Sequence, residues 1–366
     1  MSSIWGNHLR ISVFGESHGP AVGVVIDGLP PGLRIDWEAV RAQMARRAPG
    51  RHPWSTPRRE TDEFEIMSGV FGEHTTGTPL AARIASSDQR PGSYTRAGRL
   101  PRPGHADYTG NVRYRGFEDY RGGGHFSGRL TAPLVFAGAI ARQMLAVRGV
   151  AIGSHISRIG LVVDEPWEAR GPEAAALAAL SAMYFPVNSP RRGKQMIDAI
   201  CAARDEGDSL GGIIETALAG VPVGVGSPLF EAVESRAASL LFSIPAVKGV
   251  SFGAGFDIAL MPGSLANDPF VAREGRVETA TNNNGGVLGG ITTGMPIRFQ
   301  VAVKPTPSIA RPQTTVDPVS LEQREIAVTG RHDACIVPRA VPAVEAAAAL
   351  ALTDIWMGQP GWEVDR

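Results

Sequence analysis

The stretch Leu9-Arg-Ile-Ser-Val-Phe14-Gly-Glu-Ser-His18-Gly-Pro-Ala21-Val-Gly-Val-Val-Ile26 contains two β-branched runs separated by a polar, glycine-containing loop. Short β-branched runs bounded by Gly and Pro are typical of strands. We therefore predict strands over residues 9–14 and 21–26. The loop between them carries a histidine, which either meets a ligand or lies in an ordinary surface turn.

The same signals recur along the chain after this strand pair. Asp36 is a favourable N-cap for a helix over residues 37–47, with Val40 and Met44 one turn apart. We predict further helices over residues 130–148, 172–183, 195–203, 228–242 and 342–356. Further strands are predicted over 64–67, 79–84, 151–163, 212–223 and 296–303. Residues 86–128 are predicted to be irregular, and a segment of that length in a compact domain is usually functional.

The alternation of strands and helices continues through both halves, and no Pro/Ser-rich linker or charge block separates them. We predict one large α+β domain over residues 1–366. The 43% hydrophobic and 20% charged residues exclude a disordered chain. The order of the strands in the sheet does not follow from these patterns.

The charge balance disfavours a nucleic-acid partner, because 36 basic and 36 acidic residues give a net charge of +0. Three of the basic residues are lysines, which leaves 33 arginines. Genome base composition accounts for most of that bias, although Arg is also the better bidentate partner of phosphate and carboxylate.

Several features predict a soluble, cytoplasmic protein. Cys201 and Cys335 are too few for a disulfide framework, and residues 1–9 lack a signal-peptide pattern. The most apolar helical run, residues 131–146, contains Arg142 and Gln143 and is shorter than a membrane span. We therefore expect reduced thiols and no membrane association.

Four glycine-rich segments carry side chains that a purely structural loop does not need. They are Phe14-Gly-Glu-Ser-His18-Gly-Pro20, Arg102-Pro-Gly-His105-Ala-Asp107-Tyr108, Asp119-Tyr-Arg-Gly-Gly-Gly-His125-Phe-Ser-Gly-Arg129 and Asn282-Asn-Asn-Gly-Gly-Val-Leu-Gly289-Gly-Ile-Thr-Thr-Gly294. In the second, neighbouring charges can tune His105 for acid–base work, or Arg102 and Asp107 simply pair with each other. In the third, three glycines permit close backbone approach, and a helix N-terminus that suits an anion follows.

Paired glycines in the fourth segment suit a flat ligand, although such pairs also mark bulges. Two further segments, Arg46-Arg-Ala-Pro-Gly-Arg-His52 and Gly330-Arg-His-Asp333-Ala-Cys-Ile-Val-Pro-Arg339, add charge. The chain has no metal-ligand spacing, no Walker loop and no G-x-S-x-G elbow. The residues alone therefore predict an enzyme for an anionic, phosphorylated substrate, with several arginines, two or more loop histidines and room for a flat cofactor.

Taken in order, these segments resemble the chorismate synthase family along almost the whole chain. The further matching segments are Asp27-Gly-Leu-Pro-Pro-Gly32, Ser68-Gly-Val-Phe-Gly-Glu73, Thr75-Thr-Gly-Thr-Pro79, Ala246-Val-Lys-Gly-Val250 and Lys304-Pro-Thr-Pro-Ser308. The resemblance implies a 1,4-anti elimination that converts 5-enolpyruvylshikimate 3-phosphate into chorismate and phosphate. It further implies reduced FMN without net redox change, a place in aromatic amino-acid biosynthesis, a βαβ sandwich with internal pseudo-repeats and a homotetramer.

The resemblance also implies roles for individual residues. His18 would donate a proton near the leaving phosphate, His105 would protonate or electrostatically match the reduced flavin, and Asp333 would assist proton removal. Substrate phosphate and carboxylates would be held by Arg47, Arg129, Arg331 and Arg339. FMN would contact His125, Phe126, Ser127, Pro245, Ala246, Gly289, Lys304, Pro305, Thr306, Pro307, Ser308 and Arg331, and Arg47 falls where some members are assigned NADPH contact.

The chain departs from the family pattern at two places. His125-Phe-Ser-Gly-Arg129 replaces the usual Arg-Ser-Ser-Ala-Arg, and Arg46-Arg-Ala-Pro-Gly50 replaces Arg-Arg-Arg-Pro-Gly, with Pro53 at a position that is often basic. A relative with another phosphorylated substrate and a flavin- or anion-binding module without catalysis stay open as alternatives. The choice between self-reduction of flavin with NADPH and a separate reductase also stays open.

Overall fold

A computed structural model describes residues 3–50, 52, 55–56, 60–86, 100–328, 330 and 332–362. Its helices are α1 Trp37–Arg47, α2 Asp107–Arg113, α3 Thr131–Ala146, α4 Ala174–Ser181, α5 Pro190–Asp205, α6 Val233–Leu241, α7 Gly263–Ala266 and α8 Val337–Met357. Its strands are β1 Ile4–Trp5, β2 Arg10–Gly15, β3 Ala21–Asp27, β4 Phe64–Ser68, β5 Val70–Phe71, β6 His74–Thr75, β7 Leu80–Ala85, β8 Ala151–Ile159, β9 Val162–Val163, β10 Gly212–Ala219, β11 Val247–Phe252, β12 Phe270–Arg273, β13 Arg276–Thr279, β14 Val287–Leu288, β15 Ile291–Thr292, β16 Ile297–Val303, β17 Gln313–Val316 and β18 Gln323–Ile326.

Two five-stranded antiparallel sheets form the frame of the fold. The first has the strand order β1-β2-β3-β7-β4, and the second has the order β11-β16-β10-β8-β9. The predicted strand pair at residues 9–26 is confirmed: β2 and β3 pair antiparallel, with Val13 opposite Val24. The loop that contains His18 therefore leaves the sheet at the end of this pair.

Helices α3 and α8 lie between the two sheets and form the centre of the core. Helix α3 packs against β2, β3 and β7, whereas α8 packs against β8 and β10, and the two helices pack on each other. Helix α3 is apolar on nearly all sides and is buried along most of its length, as its sequence predicts. The layers therefore run sheet, helix, helix, sheet, which agrees with the expected α+β sandwich.

The contact between α3 and α8 is close because both helices present small residues to it. A Cβ placed on Gly138 would lie 2.2 Å from Cβ of Ala346 and 2.4 Å from its Cα. Helix α8 is also long and apolar enough to cross a membrane, but 83% of its most apolar window is buried within the protein. It is the central helix of the sandwich. Its 21 residues make it longer than the 16-residue helix over 131–146, the run predicted from the sequence to be the most apolar.

A buried polar network centred on His155 connects neighbouring strands of the second sheet. This side chain has no solvent exposure, and its Nδ1 and Nε2 each lie 2.8 Å from a carboxylate, of Asp164 and Glu215 respectively. Arg298 donates to Glu215 at 2.6 Å. Burial lowers the pKa of His155, but the two carboxylates outweigh it and the pKa is raised overall.

The structure corrects several predicted boundaries. The predicted helix over 228–242 is a 3₁₀ turn, Leu229–Glu231, followed by α6, and the helix predicted over 172–183 is shorter, as α4. The stretch predicted to be irregular contains α2. Helix α8 begins five residues before the predicted start because Pro338 lies in its first turn, where proline is tolerated, and Pro342 lies inside it.

Candidate active site

A cavity of about 680 Å³ opens where α3 and α8 begin. Thr131, at the start of α3, and Ile336 and Arg339, at the start of α8, are among its lining residues. Loops after β2, α1 and β16, the segments at 102–106 and 122–129, and the segment between α6 and β11 also contribute to the lining. Two helix N-termini at one cavity favour an anionic ligand, because each exposes N–H groups and the positive end of a helix dipole.

His18 is buried at one side of this cavity by the glycine-rich loop at 122–124. Its Nδ1 lies 3.0 Å from the hydroxyl of Ser17, which in turn donates to the carbonyl of Arg121 at 3.3 Å. A Cβ on Gly122 would lie only 2.3 Å from Cε1 of His18. Glycine at 122 therefore makes room for the imidazole, which lines the cavity.

His105 forms a compact cluster with Arg102 and Asp107. The Nδ1 of His105 lies 2.7 Å from Oδ1 of Asp107, and Nε of Arg102 lies 2.7 Å from Oδ2. Burial tends to raise the pKa of Asp107, but the hydrogen bonds from Arg102 and His105 hold it well below its usual range. The predicted pairing of Arg102 with Asp107 is thus present together with the histidine contact, rather than instead of it.

A second charged cluster joins Arg47 and Arg129 through Asp62. Both arginines donate to the two carboxylate oxygens of Asp62, and Arg129 also lies 3.2 Å from Glu60. Burial lowers the pKa of Arg47 to about 10. Asp62 has a positive φ of 56°, a conformation that Asp tolerates better than most residues. The cluster holds both guanidinium groups rigidly at the cavity wall.

Asp333 and Arg339 form a third pair beside the start of α8. Arg339 donates to Oδ2 of Asp333 at 2.5 Å, and the backbone N–H of Thr56 donates to Oδ1 at 2.8 Å. Arg339 also donates to the backbone carbonyl of Arg47 at 3.2 Å, which joins this pair to the second cluster. Burial opposes a raised pKa for Arg339, but Asp333 and Asp62 outweigh it.

The segments at 242–248 and 304–308 also line the cavity. Lys304 donates from Nζ to the carbonyl of Gly104 and from its backbone N–H to the carbonyl of Ala246 at 2.9 Å. Ala246 has a φ of 74°. Such a conformation costs about 1–3 kcal/mol for a residue other than glycine and is found preferentially at functional sites.

Of the departures from the family pattern, His125 and Phe126 both line the cavity. His125 Nδ1 lies 2.8 Å from the carbonyl of Gly15, and Nε2 lies 3.1 Å from the hydroxyl of Ser3. Phe126 packs against α2, where a Cβ on Gly110 would lie 2.6 Å from its ring. Ser127 caps the turn that follows by accepting from the N–H of Arg129 at 3.2 Å.

The structure brings most of the expected site residues into this one cavity. Those that line it are His18, Arg47, His105, His125, Phe126, Ser127, Arg129, Pro245, Ala246, Lys304, Thr306, Pro307, Ser308, Asp333 and Arg339. Pro305 packs against Gly211 instead, and Arg331 lies outside the described residues.

Gly289 does not line the cavity in this chain. Gly289 and Gly290, with φ of 61° and 84°, form the two-residue turn between β14 and β15. Gly290 packs against Ala232, which precedes the first residue of α6. The residues that line the cavity, Phe242 and Ser243, follow the last residue of the same helix. The nine residues of α6 separate the two by about 13 Å, at 1.5 Å per residue.

Sequence reasoning missed the residues that hold the charged side chains in place. Asp62 and Glu60 carry no motif, and Thr56 contacts Asp333 through its backbone N–H. Arg102 and Lys248 lie inside the distinctive segments Arg102–Tyr108 and Ala246–Val250, so the sequence carried a signal for both. Within the described part of the chain, no group of three His, Cys, Asp or Glu side chains is arranged to hold a metal ion.

The fold and the cavity together define a class of protein: a sandwich enzyme with a polar, arginine-rich site for an anionic small molecule. A family model described as chorismate synthase matches residues 9–357. The chorismate synthases of Thermococcus gammatolerans and Pyrococcus abyssi are 48% and 46% identical, over 98% of this chain and 98% and 99% of theirs. A crystal structure of chorismate synthase has a TM-score of 0.76 and 28% identity, covering 96% of this chain and 92% of that one.

The chain belongs to the chorismate synthase family. The activity of the family is a carbon–oxygen lyase reaction that eliminates phosphate from 5-enolpyruvylshikimate 3-phosphate and forms chorismate. This is a step of aromatic amino-acid biosynthesis, and the family requires a reduced flavin.

Proposed function

We propose that the cavity at the starts of α3 and α8 is the catalytic centre for this elimination, with FMN as the flavin. The observation that carries the proposal is the convergence of His18, His105 and Asp333 with four buried or half-buried arginines on one cavity. A cavity of about 680 Å³ is in the range of small-molecule sites and can hold more than one ligand. We further propose that the chain works as a single catalytic domain.

The substrate's anionic groups are held by Arg47, Arg129 and Arg339 in this proposal. Guanidinium groups bind phosphate and carboxylate through paired N–H donors. Because Asp62, Glu60 and Asp333 already fix these arginines, their positions need little reorganisation when charge develops on the leaving phosphate. Arg331 belongs to the same proposed set, although it lies outside the described residues.

Two buried polar atoms without hydrogen-bond partners support the proposal that a ligand with hydrogen-bonding groups binds in this cavity. Among the described residues, Oγ1 of Thr306 and Nε of Arg129 are buried and have no hydrogen-bond partner. Open space also lies beside Gly128, where a Cβ would meet nothing within 4 Å. The loops at 125–127, 245–246 and 304–308 would hold FMN, with Arg331 as a further expected contact. Bound reduced flavin supplies electron density to the reacting ring.

The three acid–base groups divide the proton transfers in this proposal. His18 holds a proton near the leaving phosphate, with its orientation fixed by Ser17. His105 keeps Nδ1 toward Asp107 and provides a proton or a matching charge toward the flavin. Asp333 assists removal of the substrate proton, and Arg339 and the Thr56 N–H fix its two oxygens.

We also propose a cytoplasmic homotetramer that uses NADPH, bound near Arg47, or a separate reductase to reduce its flavin. Exposed apolar residues support assembly: Phe256 and Leu260 are 87% and 84% exposed, and Phe270 on β12 is 67% exposed. Apolar groups exposed in this density often mark protein–protein interfaces. Neither nucleic acid nor a membrane surface is a partner in this proposal.

An anaerobic assay with pre-reduced FMN and 5-enolpyruvylshikimate 3-phosphate tests the proposed function. We expect chorismate and one equivalent of phosphate, and the same assay run aerobically with NADPH shows whether the chain reduces its own flavin. Flavin binding without turnover would indicate a binding module instead, and turnover of a different phosphorylated compound alone would indicate a changed substrate.

A further inference from the structure

A carboxylate is buried in the middle of the central helix, away from the cavity. Glu345 on α8 is 2% exposed, and two arginines donate to it. Arg46 of α1 donates from Nη1 to Oε2 at 2.6 Å and from Nη2 to Oε1 at 3.3 Å, and Arg142 of α3 donates to Oε2 at 2.9 Å. Burial tends to raise the pKa of Glu345, but the two arginines outweigh it and the pKa is lowered overall. Glu345 is therefore charged, and it joins the three helices α1, α3 and α8.

Glu345 does not itself meet a ligand of the cavity. Among the described residues that line the cavity, the last one on α8 is Ala340. Glu345 follows Ala340 along the same helix at a distance of about 7.5 Å, at 1.5 Å per residue. Any effect of Glu345 on ligand binding must therefore pass through its partners.

Arg46 is the partner that leads to the cavity, because it stands next to Arg47 at the end of α1. All three side-chain nitrogens of Arg46 donate. Besides Glu345, the acceptors are Oε1 of Gln43 at 2.8 Å and the carbonyl of Met183 at 3.3 Å. The contact between Arg46 and Glu345 therefore holds the last turn of α1, from which Arg47 reaches the cavity.

A second contact joins the same turn of α1 to α8. Nε of Arg339 donates to the backbone carbonyl of Arg47 at 3.2 Å. Arg339 and Glu345 are about 9 Å apart along the axis of α8. Two contacts at this separation hold the end of α1 against both sliding and turning on α8. Together they set the distance between the guanidinium groups of Arg47 and Arg339.

Stability alone does not account for a charged cluster at this place. Burial of three charges carries a desolvation penalty, and apolar residues of similar size are often at least as stabilising in such a cluster. A guanidinium group that pairs with both oxygens of a carboxylate does, however, fix a geometry, because its donors form a rigid planar fork. The contacts of Glu345 therefore favour a role in placing α1.

We propose that Glu345 is a positioning residue of the substrate site, which through Arg46 sets the spacing of Arg47 and Arg339. This proposal rests on the proposed function, because that function assigns the anionic groups of the substrate to these arginines. A shift of α1 on α8 would change their spacing and lower substrate affinity. The hydrogen bonds described for the cluster do not reach the loops proposed to hold FMN, so FMN affinity should not change.

Binding of the substrate and of oxidised FMN to Glu345→Gln tests the proposal. Glutamine keeps the size of the side chain but removes its charge and one acceptor oxygen. We expect the affinity for 5-enolpyruvylshikimate 3-phosphate to fall about 3- to 30-fold, whereas FMN affinity stays within about twofold of wild type. Arg46→Met should give the same selective loss. The double variant should lose no more than the weaker-binding single variant, because both changes remove one contact.

Asp354→Asn is the matched control. Asp354 lies on the same helix, is 1% exposed and accepts from Arg236 at 2.6 Å. Its other partners are the backbone N–H groups of residues 7–9, and neither these residues nor Arg236 line the cavity in the described part of the chain. Asp354→Asn should lower the free energy of unfolding without changing either affinity.

If Glu345→Gln does not fold, the triple variant Arg46→Met/Arg142→Met/Glu345→Met takes its place, because no buried charge is then left unpaired. The same selective loss of substrate affinity is expected. Unchanged substrate affinity in the folded variant would overturn the proposal, as would an equal loss of FMN affinity or the same selective loss in Asp354→Asn. A wild type that does not bind the substrate would overturn both proposals, whereas one that binds it but forms no chorismate would overturn the proposed function alone.

Discussion

Arg102 connects three loops around the cavity through one guanidinium group. Besides Asp107, it donates to the hydroxyl of Ser308 at 3.1 Å and to the carbonyl of Gly122 at 2.6 Å. Only arginine offers five donors in a rigid fork, so a lysine at 102 could not make all of these bonds at once. The position of His105 relative to the loop at 304–308 therefore depends on a residue that itself need not contact a ligand.

We predict that His105→Ala lowers kcat by about 10²- to 10⁴-fold, the usual contribution of a general acid or base. The ring is half-buried on the cavity wall, and its side-chain hydrogen bonds within the described residues are to Arg102 and Asp107, so the fold should survive its removal. The measurement is the anaerobic assay with reduced FMN, together with circular dichroism. His74→Ala, at an exposed position on β6, is the control, and activity of His105→Ala within twofold of wild type would exclude the role.

The contacts of His125 predict how FMN affinity depends on pH. Both ring nitrogens face groups of the chain itself, Gly15 and Ser3, rather than an open position for phosphate. We therefore expect wild type and His125→Gln to show the same dependence of FMN affinity on pH. A titration between about pH 5.5 and 8.5 brackets the ordinary histidine pKa of about 6.5. An affinity that falls with rising pH in wild type alone would mean that protonated His125 meets the phosphate.

At this scale the sequence indicated the candidate acid–base groups of the cavity but not the residues that hold them in place. His18 and His105 stand in short, distinctive motifs, so they were identified without a structure. The bond between Thr56 and Asp333 joins residues 277 positions apart and uses a backbone N–H, which leaves no trace in the residue type. Asp62 likewise acts through its conformation and its two arginine partners.

At the scale of secondary-structure elements, the closest approach in the core is that between α3 and α8. We predict that Gly138→Ala destabilises the protein by about 1–3 kcal/mol, because overpacking costs more than the roughly 1 kcal/mol of helix propensity that alanine contributes. The added Cβ would meet the backbone of α8, which cannot rotate away. Urea unfolding measures the change in the free energy of unfolding.

Gly263→Ala is the matched control for this prediction. Gly263 begins helix α7, and a Cβ there would meet nothing within 4 Å. The control should be neutral or slightly stabilising. Equal stabilities for the two alanine variants would show that the contact between α3 and α8 adjusts without cost.

Helices and strands with clear capping residues or long apolar runs could be predicted from the sequence, whereas short exposed strands and helices could not. Helix α1 begins where predicted because Asp36 accepts from the N–H groups of Glu38 and Ala39, and it ends where predicted, at Arg47, shortly before Pro49 and Gly50. The hairpins β12–β13 and β17–β18 were missed because each strand has four residues that are mostly exposed. Helix α2 was missed because it contains Gly110 and lies within a glycine- and arginine-rich segment.

At the scale of the whole molecule, the His155 network predicts how stability depends on pH. The pKa of His155 is raised, so its contribution is fully present below the unfolded pKa of about 6.5 and is lost as pH rises through the folded value. The pKa values of Asp164 and Glu215 are lowered, so their contributions are lost as pH falls below about 4. This network therefore stabilises the protein most between these two limits.

We predict that the free energy of unfolding decreases as pH rises above 6.5, and that His155→Gln flattens this decrease relative to wild type. Urea unfolding at several pH values between about 5 and 9 measures both curves, around the reference pKa. The same alkaline slope in variant and wild type would assign the pH dependence to other groups.

The α+β class could be predicted from the alternation of strands and helices, but the arrangement of the two sheets could not. β10 lies between β8 and β16, so residue 212 pairs with both 159 and 303. Pairings over such separations depend on which faces are buried after the long helices dock. The expected sandwich came from the resemblance to a family rather than from the local patterns.

The lining of the cavity comes from residues between 17 and 340, including the loop between β2 and β3 of the first sheet and the start of β11 in the second, so neither half of the chain contains a complete site. A ligand bound there fastens the two halves to each other, and it stabilises only the fully folded chain. Unfolded chains are the ones that proteases degrade. The cellular lifetime of this protein is therefore coupled to the supply of its own ligands, and scarcity of those ligands lowers its abundance as well as its turnover rate.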